Sequence, residues 1–478
     1  MNISKIQIFA CLLILSYSCK DDSVRKKKET TANTLFSLMD SELTNIDFNN
    51  TVEETADFNA LNYPYAYNGG GVAIGDINND GLQDIYLTSN QQSNKLYLNK
   101  GDFEFEDVTE KAGVGDTGGW TTGVNMIDIN NDGWMDIYVC KSASRSQANL
   151  RKNKLFVNQK DGTFREEAQK WGLDDDGFSI QSYFFDYDND GDLDMFLVNH
   201  RDDFFNSINL DNILKDKDFF PQTSDHLYRN DGTRFTDVTL ESGIINKEFS
   251  LSASIGDYNN DGWLDVFVAN DFITPDKLYI NNKNGTFTNQ ISTKIKHTSY
   301  SSMGSDYADV NNDLLPDLLV LDMSAEDHRR GKENMATMNT NGFWRTVRSG
   351  FHYAYMSNIL NLNNGNGSFS DVAQFSGISK TDWSWAPLIA DFDNDGLKDI
   401  FVTNGIKREL ANQDFGHFIN DEKNDSVQNM SINEVLKFLP SNKLQNYAFR
   451  NEGELSFSNV IDDWGFGKAV NSNGVAYG

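Results

Sequence analysis

Short apolar runs, IYL, IYV, MFLV, VFV, LLV and IFV, recur along this 478-residue chain. Each is entered from an acidic, Asn- and Gly-containing stretch. Their β-branched and aromatic content and their length predict strands rather than helices. GVAIGD before the first acidic stretch and DIYLTSN after it have the same character. A second shared phrase follows each run: KLYLNKGDFEFEDVTEKAG from Lys95, KLFVNQKDGTFREEAQKWG from Lys154 and HLYRNDGTRFTDVTLESG from His226. Weaker versions start at Lys277, Asn358 and Tyr447. Each reads as strand, Gly-containing turn, strand, which is a hairpin. Two hairpins per repeat make a four-stranded sheet, and a tandem array of such sheets predicts an all-β propeller.

The ends set the expected blade number. TLFSLMDSELTNIDFNN near the N-terminus reads as the outer hairpin of a blade, and GKAVNSNGVAYG at the C-terminus reads as an inner strand. Together with the six internal repeats they predict a seven-bladed β-propeller with four-stranded blades, the seventh truncated at Gly478. The domains expected are a lipoprotein signal peptide over 1–18, a flexible tether over 19–34 and the propeller over 35–478.

The acidic stretches share one nine-residue pattern. Side chains at positions one, three, five and nine are Asp76, Asn78, Asp80 and Asp84 in the first, and Asp128, Asn130, Asp132 and Asp136 in the second. The third has Asp186, Asp188, Asp190 and Asp194, and the fourth has Asp257, Asn259, Asp261 and Asp265. The fifth has Asp309, Asn311, Asp313 and Asp317, and the sixth has Asp391, Asp393, Asp395 and Asp399. These oxygens, with a backbone carbonyl at position seven, suit Ca2+, which takes six to eight oxygen ligands in flexible geometry. Asx turns use the same residue types without a metal, but turn chemistry does not require an acid at position nine. An EF-hand would place Glu at position twelve. Here that position is Leu87, Val139, Leu197, Val268, Val320 or Val402, all in predicted strands. The unit expected is a β-hairpin with calcium at its tip.

These repeats resemble the FG-GAP, or VCBS, family, whose fold is the propeller of integrin α-subunits. The resemblance runs from about Leu35 to the end. IDFNN and DVTEKAG further resemble bacterial proteins carrying a C-terminal ASPIC/UnbV domain, which would lie beyond Gly478. One departure is Leu314 with Pro316 in the fifth loop, where the family pattern has Gly. Leu at a strained turn position makes that site the weakest of the six.

Charge and leader sequence extend the picture. The formal net charge is −30, and twenty carboxylates sit at the loop positions named above. Six bound calcium ions would leave −18. Without the ions the clustered acids repel one another. The acidity excludes nucleic acid as a partner of this segment, since phosphate binding needs clustered Lys and Arg. Lys5, the apolar run Ile6 to Leu15, and then Ser16, Tyr17, Ser18 and Cys19 fit a secretory signal. Cys after small residues resembles a lipoprotein cleavage box, and Lys20, Asp21 and Asp22 resemble the surface-export tag of Bacteroidetes-type lipoproteins. Lipidation of Cys19, membrane attachment through that lipid and an outer-membrane, cell-surface location are therefore expected. Cys140 is the cysteine left, so no disulfide framework is available.

Strand order divides the loops between two faces. Acidic loops share one, while insertions over His200 to Asp225, Asp322 to Ser357 and Asn404 to Asn446 crown the other, with Trp120, Phe178, Trp383 and Trp385. Trp344, Arg345, Arg348, His352 and Tyr353, together with Trp383 and Trp385, are the candidate ligand-binding residues, because Trp, Tyr and Arg dominate binding hot spots. A second reading has these aromatics merely capping the propeller mouth. SINEVLKFLPSNKL predicts a helix with a capping box at Ser431 and Glu434. HExxH, GxSxG, P-loop and CxxC motifs are lacking. The chain therefore reads as a non-enzymatic, surface-anchored module that binds a protein or glycan. The alternatives are a polysaccharide hydrolase or lyase with its cleft built by the insertions, and a scaffold for the ASPIC/UnbV domain.

Overall fold

Antiparallel pairing of the predicted strands produces six four-stranded sheets. The computed structural model describes residues 34–478 apart from 145, 205–209, 216–222, 273, 335–338 and 421–429. The expected signal peptide 1–18, the lipidation site Cys19 and the tether up to residue 33 lie outside the described residues. Leu35–Gly478 forms one unit.

The first sheet runs Val72–Gly75, Asp84–Leu87, Lys95–Asn99 and Phe105–Asp107 in that order. The second comprises Trp120–Ile127, Asp136–Ser142, Lys154–Asn158 and Phe164–Glu166, and the third Ser179–Phe185, Asp194–Asn199, His226–Asn230 and Phe235–Asp237. Ser250–Gly256, Asp265–Asn270, Lys277–Asn281 and Phe287–Asn289 form the fourth, and Ser305–Ala308, Asp317–Val320, Ile359–Asn363 and Phe369–Asp371 the fifth. The sixth holds Asp382–Ala390, Asp399–Asn404, Tyr447–Asn451 and Phe457–Asn459, with Met323–Ser324 added at its edge. The first strand of each sheet lies against the first strand of the next, which is a β-propeller arrangement.

From the second sheet to the sixth, second strands are buried along their length because they are covered on both sides, which is why they read as continuous apolar runs. Ile137, Tyr138, Val139, Met195, Phe196 and Leu197 are fully buried. Apolar clusters fill the spaces between successive sheets. Cys140 is a buried free thiol in this packing, and burial pushes its pKa up. In the first three sheets a one-turn helix follows the fourth strand, Thr109–Ala112, Ala168–Trp171 and Thr239–Ser242. Each stops at a left-handed glycine, Gly113, Gly172 or Gly243, a conformation glycine adopts without steric cost.

The expected seventh four-stranded blade is not formed. The N-terminal stretch is extended chain leading to the helix Ser41–Thr44 rather than a hairpin. Residues 467–478 make one isolated bridge, Leu444 to Val470, and no ladder. A four-stranded sheet needs a central hairpin, and neither segment carries the alternating apolar strands that build one. Both segments nonetheless pack beside the sixth sheet. Phe36 donates its amide to Trp464 O at 3.0 Å, and its ring meets those of Phe392, Trp464 and Phe466. Val475 joins the same cluster.

Candidate functional site

Each acidic loop connects the first and second strands of its sheet, so all six open at the same end of the strands. Their local geometry repeats closely. Position one is a turn organiser: Asp76 accepts from the N–H groups of Asp80 and Gly81 at 3.1 and 2.8 Å. Asp128, Asp186, Asp257, Asp309 and Asp391 do the same in their loops. Position four is Asn with positive φ throughout, from Asn79 at 58° to Asn394 at 59°. Position six is left-handed glycine, except in the fifth loop, where Leu314 holds φ at 69° with its side chain 86 % exposed.

Position nine is buried in every loop. Both oxygens of Asp84 accept backbone amides, one from Ile77 within the loop at 3.0 Å and one from Asn99 on the third strand at 2.8 Å. Asp136, Asp194, Asp265, Asp317 and Asp399 repeat this bridge. Loss of water on burial pushes the pKa of Asp84, Asp317 and Asp399 up to about 6 and that of Asp136, Asp194 and Asp265 up to about 7. Neighbouring loop carboxylates add to the rise, and the amides oppose it.

The donor set fits a hard cation in specific ways. A carboxylate has about four lone-pair sites, so an oxygen that accepts one amide can still bind an ion. In the third loop, oxygens of Asp186, Asp188 and Asp194 converge within 4.8 Å of one another, and in the sixth those of Asp391, Asp393 and Asp395 do so. One oxygen of Asp188 and the carbonyl oxygen of Asn259, both at position three, are buried without a hydrogen-bond partner. Buried acceptors of this kind cost free energy unless something meets them. Position-three side chains in the first, second, fifth and sixth loops instead accept from the position-five amide.

The asparagine ending each third strand, Asn99, Asn158, Asn230, Asn281, Asn363 or Asn451, completes the unit. Its amide reaches position nine, as above, and its side chain donates to the carbonyl at position eight. Asn158, Asn281 and Asn451 also donate to a loop carbonyl of the preceding sheet, at 2.8 Å in each case. Recurrence of Asn in KLYLN, KLFVN, HLYRN, KLYIN, ILNLN and YAFRN was the available signal. Its meaning emerges only once the strand end is set beside the loop.

The opposite face is not repetitive. All three insertions emerge there, and the segment over residues 51–67 lies across the mouth of the ring. Tyr63, Tyr65, Tyr67, Trp120, Phe204, Phe249, Met303, Trp383 and Ile406 form one buried cluster that joins this segment to insertions and inter-sheet connections. Tyr63 Oη meets Ser142 Oγ and His200 Nε2 at 3.3 and 3.2 Å, Tyr65 donates to Asp271 at 3.1 Å, and Tyr67 donates to Glu54. Glu54 is held in turn by Arg408, and Val52 O accepts from Lys407 at 2.6 Å. Arg330 ties the second insertion to Asp382 at 2.6 Å and to Glu409 of the third at 2.8 Å. The capping box at Ser431 and Glu434 is present, at the start of the helix Ile432–Leu436.

The candidate ligand residues fall into two groups. Thr340–Arg348 is a helix with no buried residue, carrying Trp344, Arg345 and Arg348. Trp344 is 44 % exposed and Tyr353 40 %. The Phe343 ring packs edge-on to Trp344 and stacks with Tyr355, and Arg345 pairs with Asp211 of the first insertion. His352 turns inward, sharing a hydrogen with Ile295 O at 2.9 Å, and burial holds its pKa below the usual imidazole value. Trp383 and Trp385 belong to the mouth, where they line an apolar recess of about 310 Å³ with Tyr65, Phe204, Asp271, Phe272, Met303 and Met323. Asp271 and the tyrosine segment escaped sequence reasoning, since nothing local in YPYAY announces its distant partners.

The FG-GAP-like repeat family matches residues 47–139, 143–197, 257–320 and 351–402, more than half of the chain. The chain belongs to the FG-GAP-like repeat family. Among curated proteins, this FG-GAP-like chain is 33% identical over 135 residues to cartilage acidic protein 1 of Xenopus tropicalis, covering 28% of this chain and 20% of that protein. It is 39% identical over 72 residues to the Homo sapiens protein of the same name, covering 15% and 11%. The matches thus span a fifth or less of those relatives. Among solved structures, the V. cholerae biofilm matrix protein Bap1 has a TM-score of 0.33 at 13% identity, over 67% of this chain and 40% of that one. The exotype rhamnogalacturonan lyase YesX has a TM-score of 0.34 at 12% identity, over 85% and 67%.

Proposed function

We propose that this FG-GAP-like protein is a calcium-stabilised, non-enzymatic binding module whose crowned face engages a protein or glycan. The observation that carries the reading is the outward helix Thr340–Arg348, whose Trp344 stands exposed beside Phe343, Tyr353, Tyr355 and two arginines. An aromatic cluster with no covering element among the described residues, rimmed by Arg, has the composition of an interaction hot spot. Its stacked rings also suit the apolar faces of sugars. The leader from Lys5 to Cys19 supports export and lipid anchoring, which would display this face outside the cell. The test is binding to immobilised glycan and extracellular-protein panels with calcium in excess. Trp344→Ala with Arg348→Ala should weaken a hit by about 2 kcal/mol or more, roughly thirtyfold, without lowering the melting temperature. Unchanged binding by that folded variant rejects the assignment, and turnover of a panel glycan would replace it with an enzyme.

We further propose that the terminal segments occupy a seventh position of the ring. A cavity of about 200 Å³ is lined by residues on, or just before, the inner strands of the six sheets and by Asn473 and Gly474. Thr88, ending a second strand, donates to Thr122 O of the next inner strand at 2.5 Å, and Thr403 donates to Asn473 O at 2.8 Å in the same relation. Ser41–Thr44, ended by left-handed Asn45, matches the one-turn helices that follow fourth strands. Deleting residues 468–478 should lower the melting temperature; an unchanged melt would reject the seventh position.

A further inference from the structure

The recess at the mouth is separate from the exposed helix and has its own chemistry. Its lining is almost wholly apolar and aromatic: Tyr65, Phe204, Phe272, Trp383, Trp385 and two methionines. One charged group lines it, Asp271, which is 3 % exposed. Its carboxylate accepts from Tyr65 Oη at 3.1 Å, from the Phe272 amide at 2.6 Å and from the Ser301 side chain. These are neutral donors; among the described residues no Lys, Arg or His forms an ion pair with it. Asp382 and Glu409 share Arg330 as a cationic partner, whereas Asp276 and Asp322 are buried among neutral donors as Asp271 is; of these, Asp271 is the one that lines the recess.

A buried carboxylate without a counter-charge is costly, and the cost falls when a cation joins it. Aromatic faces attract the same kind of ligand, most strongly a poorly hydrated one such as an alkylammonium. Metal ions do not suit the site, because an aromatic wall and one carboxylate supply too few oxygen ligands. An ammonium bearing an apolar arm would satisfy the carboxylate, the rings and the remaining volume together. We infer that this recess binds a small organic ammonium ion, its charge against Asp271 and its alkyl groups against Tyr65, Phe272, Trp383 and Trp385. Burial raises the Asp271 pKa to about 6, so the carboxylate is ionised and ready to pair at neutral pH. The binding is independent of the macromolecular ligand proposed for the helix Thr340–Arg348.

Calorimetric titration of the full chain with choline, benzyltrimethylammonium and dimethylbutanol, the uncharged isostere of choline, tests this. Benzyltrimethylammonium should bind tightest, because its arm fills the apolar volume. Choline should exceed dimethylbutanol by about tenfold or more, the scale of a desolvated cation–aromatic contact assisted by a carboxylate. Asp271→Asn, whose amide oxygen can keep the Phe272 amide while its NH2 turns to the Tyr65 hydroxyl oxygen, should abolish the preference for charge. Trp385→Leu should weaken all ammonium probes. Equal binding of choline and its isostere, an unaltered preference in folded Asp271→Asn, or no binding of any probe by the native chain would each overturn the assignment.

Discussion

The acidic face and the crowned face solve the same problem, covering the ends of stacked strands, in opposite ways. Each acidic loop closes mainly within its own sheet and its neighbour: Asp76 bonds partners four and five residues away, Asp84 joins Ile77 to the adjoining third strand, and Asn79 reaches the next loop at Gly133 O. The crown is held by partners far apart in sequence, such as Val52 with Lys407 and Tyr67 with Asn473. Local closure can be copied from sheet to sheet, and six copies exist. Distant closure happens once, so the residues responsible carry no internal repetition. The acidic face therefore concentrates charge, while the crown concentrates individuality, including the exposed aromatics and the recess.

The largest break in this comparison should come from withholding the calcium proposed for the acidic loops. Each site occupied at a hundredfold excess over its Kd adds about 2.7 kcal/mol by mass action. Thermal unfolding with excess calcium and then with chelator should differ by many degrees, and Asp128→Ala should remove one site's share. Coincident melts would reduce the acidic face to turn chemistry. The crown should respond next: Tyr65→Ala opens the buried cluster and should cost about 3–5 kcal/mol, read by urea unfolding. Loss well below that range would mean the segment over 51–67 is an ornament rather than part of the core.

A subtler test uses a position that both faces' logic touches. In each sheet an Asn or Asp before the third strand accepts the amide at the end of the second, at Asn94, Asn153, Asp225, Asp276, Asn358 and Asn446. Burial raises Asp276 from an ordinary value near 4 to about 7. The folded chain thus prefers the protonated form, so the favourable contribution is full below about pH 4 and is lost as pH rises toward 7. Asp276→Asn, the choice already made at four sibling positions, should raise stability at neutral pH by about 1–3 kcal/mol and flatten the pH dependence between those limits. No gain at neutral pH would show that the charge is compensated. The smallest effect belongs to Leu314→Gly, which relieves a left-handed leucine and should gain about 1 kcal/mol in chelator, measured as a shifted urea midpoint.

How much of this was legible follows the same division. Strand runs, hairpin turns and the acidic loops could be read because period-two patterning and turn residues act over a few neighbours. The capping box at Ser431 was readable for that reason too. Thr340–Arg348 was seen as a cluster of aromatics and arginines but not as a helix, since its N-cap Asn339 precedes a stretch with no buried face to set a period. Tyr63, Tyr65 and Tyr67 could not be read, because their meaning lies in Ser142, His200, Asp271 and Glu54. Trp383 and Trp385 were grouped with Trp344 by residue type, and folding separates them. The seventh blade was over-read: matching the end segments to strands says nothing about whether a ladder forms.

The tyrosine segment also sets a schedule. Tyr63 fastens to residues 142 and 200, Tyr65 to 271, and Tyr67 joins Glu54 in a group completed by Arg408 and then Asn473. Synthesised from the N-terminus, the segment waits in solution while its partners arrive in that order, each new sheet pinning the next ring of the series. Its three tyrosines, buried at the end, are exposed for most of the time the ribosome takes to finish the ring, so rings well protected in the finished molecule are at risk while it is being made.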